Sequence, residues 1–545
     1  MKYRKRCTPS ISLLSAVLIL SFTIFLASCK KDAGENLLIE DQDIFPTETV
    51  ENTKQTDADE KKETGSSEEE SPAAVEQIEL IAPIEEEGGN ADYDLYAGGV
   101  VRSDLAYYYL EPIPVSQTYQ ALIHRIDRET GKDRILCTKV SCSHDSPDCD
   151  AFLSGTGSLI QRYQNFLILQ DLGVLTSVPV GFQGHQEIFL KLPYSELRDL
   201  LDTDDQYFWP QVVLHRGIAA VSMTKQGEFT GTGYNREEEE TEEEFSGGNP
   251  YIRAYRDEFI EQVDEQVESR YDYTAAVCVI PFENGETGEV KALIQKEIPD
   301  VSQVRIKILP YGDELYILLE SVLSEACYEM NADGFGGGGG SQDHVSNLEI
   351  YRYRLDAEEA ELLYQGSAPL DGLCGATVDG NAIRFLGLRD AMEEEQDGFC
   401  DYLITGFDLS EKRFYDPVSL FSEEDYAARP VFGDGYIAAV TYQDPYFLPR
   451  GLLDGNEIKM KDIGASVIHM YDYNGKELDR FDFDMLVPDS VGKTLEFHYA
   501  PFIFTAGKEE MVIETSDYSV YHAGTERIIL SLQDGEMKIP ERTER

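Results

Sequence analysis

Basic residues are scarce in this chain of 545: 46 Lys and Arg stand against 103 Asp and Glu, a formal net charge of −57. A surface of that sign repels phosphate backbones and anionic headgroups, which excludes nucleic acid as a partner. Cations, basic polypeptides and neutral glycans remain open, and acidity also serves simply to keep an extracellular protein soluble. Tryptophan occurs once, as Trp209, which reads as a core residue rather than a sugar platform. No nucleophile elbow, P-loop, dinucleotide glycine fingerprint or HExxH helix is present, so the chemistries those motifs serve have no visible anchor. Carboxylates are so abundant that selecting two as acid and base would be arbitrary.

Long charge-free apolar runs are missing too, except at the start. Lys2, Arg4, Lys5 and Arg6 form a basic head, 11–27 is free of charge, and Leu26-Ala27-Ser28-Cys29 is a stop of small residues. The run is short for a membrane span, and the order is that of a secretion signal. The last four residues match the bacterial lipobox, so the chain resembles a lipoprotein. That resemblance implies a signal peptide over 1–28, diacylglycerol on Cys29 with palmitate-type acyl chains, and a mature chain held on the extracytoplasmic face of the cell membrane. Loss of 1–28 raises the net charge to −61.

Residues 30–90 hold 19 acidic and 5 basic residues and one aromatic, Phe45. So little there can be buried against the loss of chain entropy that 29–90 reads as a lipidated cysteine followed by a disordered acidic tether. As a flexible coil it spans roughly 45 Å.

From Ala91 the composition changes to short bursts of Tyr, Val, Ile, Leu and Phe, and it does not break again before Arg545. Two signatures alternate. One is a polar turn and a Tyr- or Ile-rich strand, as in Ser103-Asp104-Leu105-Ala106-Tyr107-Tyr108 and Gly312-Asp313-Glu314-Leu315-Tyr316-Ile317. The other is a hairpin, as in Ile350-Tyr351-Arg352-Tyr353-Arg354-Leu355 before Glu358-Glu359, or Ile468-His469-Met470-Tyr471 before Gly475-Lys476. Pairing them gives seven units of four strands, a to d, beginning near residues 98, 157, 211, 303, 372, 429 and 496. Four-stranded units around an axis are propeller blades. The expected fold is therefore all-β: a single β-propeller over 91–545, similar to the propellers of surface lipoproteins. Two β-sandwiches are the alternative. The second unit is the weakest, with 194–201 reading as a helical turn.

The units differ mostly in the link from strand b to strand c, expected to be long at 225–272, 324–347, 389–400 and 444–465. Strands alternate in direction, so these links and those between blades emerge on one face, the expected working surface. In the first insertion the acidic run at 237–244 reads as disordered, and 251–272 carries Ile252, Tyr255, Phe259, Val263 and Val267 at helical spacing. The glycine run at 336–340 reads as a flexible loop.

Nine cysteines are few for this length, and three sit together: Cys137, Cys142, His144 and Cys149 form C-x4-C-x-H-x4-C. Three thiolates and an imidazole satisfy a tetrahedral zinc ion, with no open position for catalysis, and in an extracytoplasmic compartment a disulfide is the rival. Seven mature cysteines besides Cys29 (137, 142, 149, 278, 327, 374 and 400) cannot all pair. The stretch 136–151 resembles a Cys-rich element of propeller lipoproteins from anaerobic Gram-positive bacteria, which carry no settled activity. Asp202-Thr203-Asp204-Asp205 and Asp454-Gly455-Asn456-Glu457 offer oxygens to calcium but read better as ordinary turns.

These features point to a membrane-anchored, non-enzymatic scaffold that binds a protein or glycan through its insertion-bearing face. A glycan-active extracellular enzyme on the same ring is the second expectation. A transporter-linked solute-binding lipoprotein is the third, disfavoured because its two α/β lobes would need more helix than the patterns supply.

Overall fold

The computed structural model describes residues 100–115, 118–137, 139, 141–144, 148–153, 159–164, 166–171, 174–179, 187–203, 210–232, 269–330, 337–370, 372–388, 402–421, 426–427, 430–442, 466–482, 502–517, 524–532 and 537–538. They form a seven-bladed β-propeller of antiparallel sheets, each followed along the chain from its innermost strand outward. Blade 1 comprises Val100–Arg102, Ala106–Val115, Thr118–Asp127 and an outer edge split into Asp133–Ile135 and Phe152–Leu153. Blade 2 runs from Leu159–Tyr163 to Glu187–Lys191, blade 3 from Gln211–His215 to Lys291–Val301, and blade 4 from Gln303–Tyr311 to Glu361–Gly366. Blade 5 opens at Gly372–Asp379, blade 6 at Tyr426–Ala427 and blade 7 at Phe502–Ala506. Six of the seven expected starts fall within three residues of the observed ones, and the seventh, near 496, falls six residues before Phe502.

The apolar runs follow from how blades stack. A blade is packed on both faces, so its middle strands bury successive side chains in opposite directions. In Glu314–Met330, Leu315, Ile317 and Leu319 face blade 3 while Tyr316 and Leu318 face blade 5. A buried cluster fills every junction around the ring, and the one between blades 7 and 1 joins Val100, Tyr107, Tyr109 and Ile126 to Val512 and Ile529. Blade 2 adds the helix Tyr194–Leu201, whose Leu197 and Leu201 complete the junction with blade 3. Asp202 ends that helix in the left-handed region (φ 49°), donating its N–H to the carbonyls of Arg198 and Asp199, so Asp202 is a helix cap.

Two expected loops are strands instead. Blade 3 pairs Ile218–Thr232 with Ser269–Glu283, so the link thought to span 225–272 is confined to 233–268. Blade 4 pairs Glu314–Met330 with Gly337–Arg354 out to Met330 opposite Gly337, so Gly337 to Gly340 belong to a ladder, not a loop. Glycine and glutamate are poor strand formers, but a hairpin already nucleated by an apolar core extends along its own hydrogen bonds and overrides that preference. Of the expected helix, 269–272 are strand and 251–268 lie outside the described residues. The links at 389–401 and 443–465, Trp209, Asp454 to Glu457, and everything before Val100, Cys29 included, also lie outside them. Among the described residues no helix is long and apolar enough to cross a membrane.

Candidate metal centre

The outer edge of blade 1 explains why cysteines 12 positions apart in sequence meet. Asp133–Ile135 and Phe152–Leu153 both pair with Thr118–Asp127, the first opposite His124 to Ile126 and the second opposite Ala121 and Leu122. The chain leaves the edge at Leu136, whose N–H bonds the Ile123 carbonyl at 2.8 Å, and returns at Ala151, whose carbonyl accepts the Ile123 N–H at 2.9 Å. One residue of the neighbouring strand therefore clamps both ends of the excursion. Cys137 and Cys149 stand just inside the two clamps, and Cys142 and His144 fold back over them. The cluster interrupts the fourth strand of blade 1, whereas the sequence placed it in the link between blades. It nevertheless touches blade 2: Cys149 joins Phe152, Leu153, Ile160, Leu167 and Leu169 in the junction core, and Cys137 and Cys142 pack against it.

One ligand atom from each of Cys137, Cys142, His144 and Cys149 lies within 4.8 Å of the others. His144 Nδ1 is 3.3 Å from Cys149 Sγ. Cys137, Cys142 and Cys149 form no disulfide, and neither does Cys278. A tetrahedral ion with metal–sulfur bonds of about 2.3 Å needs neighbouring ligands roughly 3.7 Å apart, so a contraction of about an ångström closes the site. The loop takes two tight bends, with Ser141 and His144 in the left-handed region at φ of 64° and 57°.

The electrostatics also suit a cation. Burial pushes the Cys137 thiol up, but backbone N–H donors from Lys139 and Asp150, with the Cys149 and Cys142 thiols, more than offset it and hold Cys137 below the usual thiol range. Cys149 is pushed up to about 12, first by burial and then by the other two thiols. Three thiols crowded without a cation cannot all ionise, while a divalent ion would deprotonate them together. The Cys3His set could hold a metal ion, and its soft sulfur donors and closed four-fold count match the donors of structural zinc. Of the other cysteines, Cys278 is buried in blade 3, where burial raises its pKa to about 12, and Cys400 lies outside the described residues.

A second polar cluster escaped the sequence reading. At the junction of blades 7 and 1, the Arg527 guanidinium lies 4.0 Å over the Tyr109 ring and 4.6 Å over Phe504. It pairs with Glu514 at 2.7 Å, Asp133 at 3.3 Å and Glu111 at 3.8 Å. His124 bridges the same Asp133 and Glu111 at 3.1 and 3.2 Å. Nearby, Glu510 accepts from the Tyr107 hydroxyl at 2.9 Å and pairs with Arg128. Partners 394 to 418 residues apart leave no local pattern to read.

No family model matches the chain, and no curated protein is similar to it in sequence. Among solved structures, a prolyl endopeptidase is 9% identical over 81% of this chain and 48% of its own, with a TM-score of 0.36. Dipeptidyl peptidase 4 of Porphyromonas gingivalis is 7% identical over 80% of this chain and 50% of its own, at 0.32. Synechocystis apocarotenoid oxygenase is 9% identical over 77% of this chain and 82% of its own, at 0.37. The chain thus spans about half the length of the two peptidases, and likeness at this level carries nothing about activity.

Proposed function

We propose that the protein is a lipid-anchored lipoprotein of the extracytoplasmic face of a bacterial cell membrane. Its propeller serves as a platform that binds a protein or glycan ligand through the face from which the b-to-c links emerge. The observation that carries this reading is the arrangement of the blades. The ring is regular where strands a and b meet, while the links at 233–268, 331–336, 389–401 and 443–465 all leave between strands b and c. A rigid scaffold with variable loops on one rim is the usual layout of a binding surface. The acidic tether would let that surface reach beyond the membrane, and the net charge favours a neutral or basic ligand. Two α/β lobes, which a transporter-linked solute-binding lipoprotein would need, are not what the described residues form.

The Cys3His cluster supports a structural zinc reading within that platform. The ion would lock the outer edge of blade 1 onto blade 2 and take no part in ligand binding. Metabolic labelling with a fatty acid tests the anchor: label is expected on the wild type and lost in Cys29→Ala, and label that persists in the variant removes the lipoprotein reading. Metal analysis with thiol counting on the purified full chain tests the ion. About one zinc per chain is expected, with Cys142→Ala losing it and a few kcal/mol of stability. A disulfide mapped among Cys137, Cys142 and Cys149 in metal-free protein would replace the zinc with a covalent staple.

A further inference from the structure

Blade 6 sets three side chains in line across three neighbouring strands. Thr441 lies near the end of Ile437–Tyr442, His469 in the middle of Ser466–Tyr471, and Glu477 at the start of Glu477–Asp482. Thr441 Oγ1 is 2.8 Å from His469 Nε2, and His469 Nδ1 is 2.9 Å from Glu477 Oε1. A carboxylate that accepts from Nδ1–H fixes the tautomer and leaves Nε2 as an acceptor facing the hydroxyl, the order of groups that activates a hydroxyl nucleophile. The imidazole is held by rings on both sides of the blade 5 junction: Tyr471 stacks on it at 5.8 Å and 14°, and Phe421 meets it edge-on at 6.4 Å.

A register shift between Met470 and Tyr471 leaves Leu478 unpaired and 52% exposed, and as a result Arg480 stands opposite His469. Bulges next to functional groups re-aim side chains in this way, and this one brings a guanidinium to the relay's face of the sheet. The relay runs diagonally across the blade, from Thr441 at the insertion-bearing end to Glu477 beside the turn that joins the last two strands at the other end. Thr441 is two residues before the 443–465 link, and by strand alternation the 389–401 and 422–425 links emerge at the same end. The hydroxyl is shielded, Thr441 being 6% exposed, while the Glu477 side chain is 44% exposed.

We propose that Thr441, His469 and Glu477 are the nucleophile, general base and orienting carboxylate of a site that hydrolyses neutral carboxylic esters. Thr441 Oγ1 attacks the ester carbonyl carbon as its proton passes to His469 Nε2. The carbonyl–alkoxy bond then breaks, and His469 returns that proton to the departing alcohol. Water, deprotonated by the same Nε2, attacks the acyl-threonine, releasing the carboxylic acid and restoring the Thr441 hydroxyl. Ester plus water gives acid plus alcohol, with no oxidant, metal or second substrate. The neutral class follows from the net charge of −57, which disfavours anionic esters, and from the aromatic flank of Phe421 and Tyr471. The site goes beyond the binding-platform reading and depends on neither the lipid nor the zinc.

The test is p-nitrophenyl acetate turnover by the full chain, with a fluorophosphonate probe mapped by peptide mass spectrometry. Saturable turnover and label on Thr441 are expected. Thr441→Val keeps the side-chain shape in the strand and should lower kcat at least 100-fold, and Thr441→Ser should restore much of it. His469→Gln should match the valine variant, and Glu477→Gln should lower kcat about 10- to 100-fold while changing the pH profile. Chelation of the Cys3His cluster should leave turnover unchanged, so this proposal and the zinc reading fail separately. Turnover no faster than that of heat-denatured chain, unchanged turnover in folded Thr441→Val, or label confined to another residue would each overturn the assignment.

Discussion

Blades 3 and 4 meet chiefly through aliphatic side chains, with the Lys296–Glu349 pair beside them, while blades 7 and 1 meet through a dense set of charges. At the first junction Val213, Val277, Val279, Ile306, Ile308, Ile317 and Leu319 interdigitate. At the second a thinner apolar cluster is framed by Arg527, Glu514, Asp133, Glu111, His124, Glu510 and Arg128. The difference follows from connectivity. A single residue, Ser302, separates the last strand of blade 3 from the first of blade 4, so the chain itself sets their register. Blade 1 is built wholly from early residues and blade 7 wholly from late ones, with no strand shared between them. Non-directional apolar contact would let those two faces slide, while a guanidinium held between two rings and three carboxylates has one seating. Polar side chains supply at the closing junction the register that covalent continuity supplies elsewhere.

The largest effect is expected from breaking that seating. Arg527→Met keeps much of the volume but strands Glu514 and leaves Asp133 and Glu111 with His124 alone, and should cost about 3–5 kcal/mol in urea unfolding. Glu514 is the sharpest of the three, because burial already raises its pKa and Arg527 opposes that rise. Adding Glu514→Leu to Arg527→Met should therefore recover part of the loss, since two apolar groups replace an ion pair more easily than one stranded charge survives. Ile317→Ala at the blade 3–4 junction should cost about 2–5 kcal/mol, with no second deletion able to rescue it. A small penalty for Arg527→Met, or no recovery in the double variant, would remove the distinction between the junctions.

Much of this architecture is legible in the sequence and some is not, for physical reasons. Blade starts are legible because each blade repeats a local hairpin grammar, turn residue then alternating apolar strand. The Cys3His cluster is legible because its four ligands lie within 13 residues, although only the structure shows that Ile123 clamps the excursion. The ribbon from Gly337 onward is not legible, because its strand state is imposed by pairing with the partner that ends at Met330 rather than by its own residues. Arg527 with Tyr109, and Thr441 with His469 and Glu477, are invisible for a third reason. Their meaning lies in which strands become neighbours, and no local spacing encodes that.

Glu320 offers a converse experiment, a carboxyl buried beside the apolar cluster between blades 4 and 5 with Arg305 and Lys307 near it. It is 2% exposed among the residues facing blade 5, one carboxylate oxygen has no hydrogen-bond partner, and burial raises its pKa from 4.5 to about 7 despite the attraction of Arg305 and Lys307. A carboxyl whose folded pKa lies above its unfolded value stabilises most below the unfolded value. That contribution is lost as pH rises through the folded one, here from about 4.5 to about 7. The shift corresponds to about 3 kcal/mol. Glu320→Gln should flatten the stability profile across that window and raise stability by about 2–3 kcal/mol at pH 8 relative to the wild type. Parallel profiles for the two proteins would show that the carboxylate is solvated or paired after all.

The smallest effect separates the hydrogen bond at the closing junction from its charges. The Tyr107 ring is fully buried, so Tyr107→Phe retains all the apolar packing and deletes only the hydroxyl that donates to Glu510. Glu510 is not stranded, because Arg128 still pairs with it. A hydrogen bond to a charged group under those conditions is worth about 1.5 kcal/mol, well below the expected penalty at Arg527. Glu510→Gln in the same background closes a double-mutant cycle. A coupling energy of about 1 kcal/mol between Tyr107 and Glu510 would place the closing register in the directional bonds. A coupling near zero would mean that the two rings, Tyr107 and Tyr109, hold the closing junction by packing, as isoleucine and valine hold the junction of blades 3 and 4.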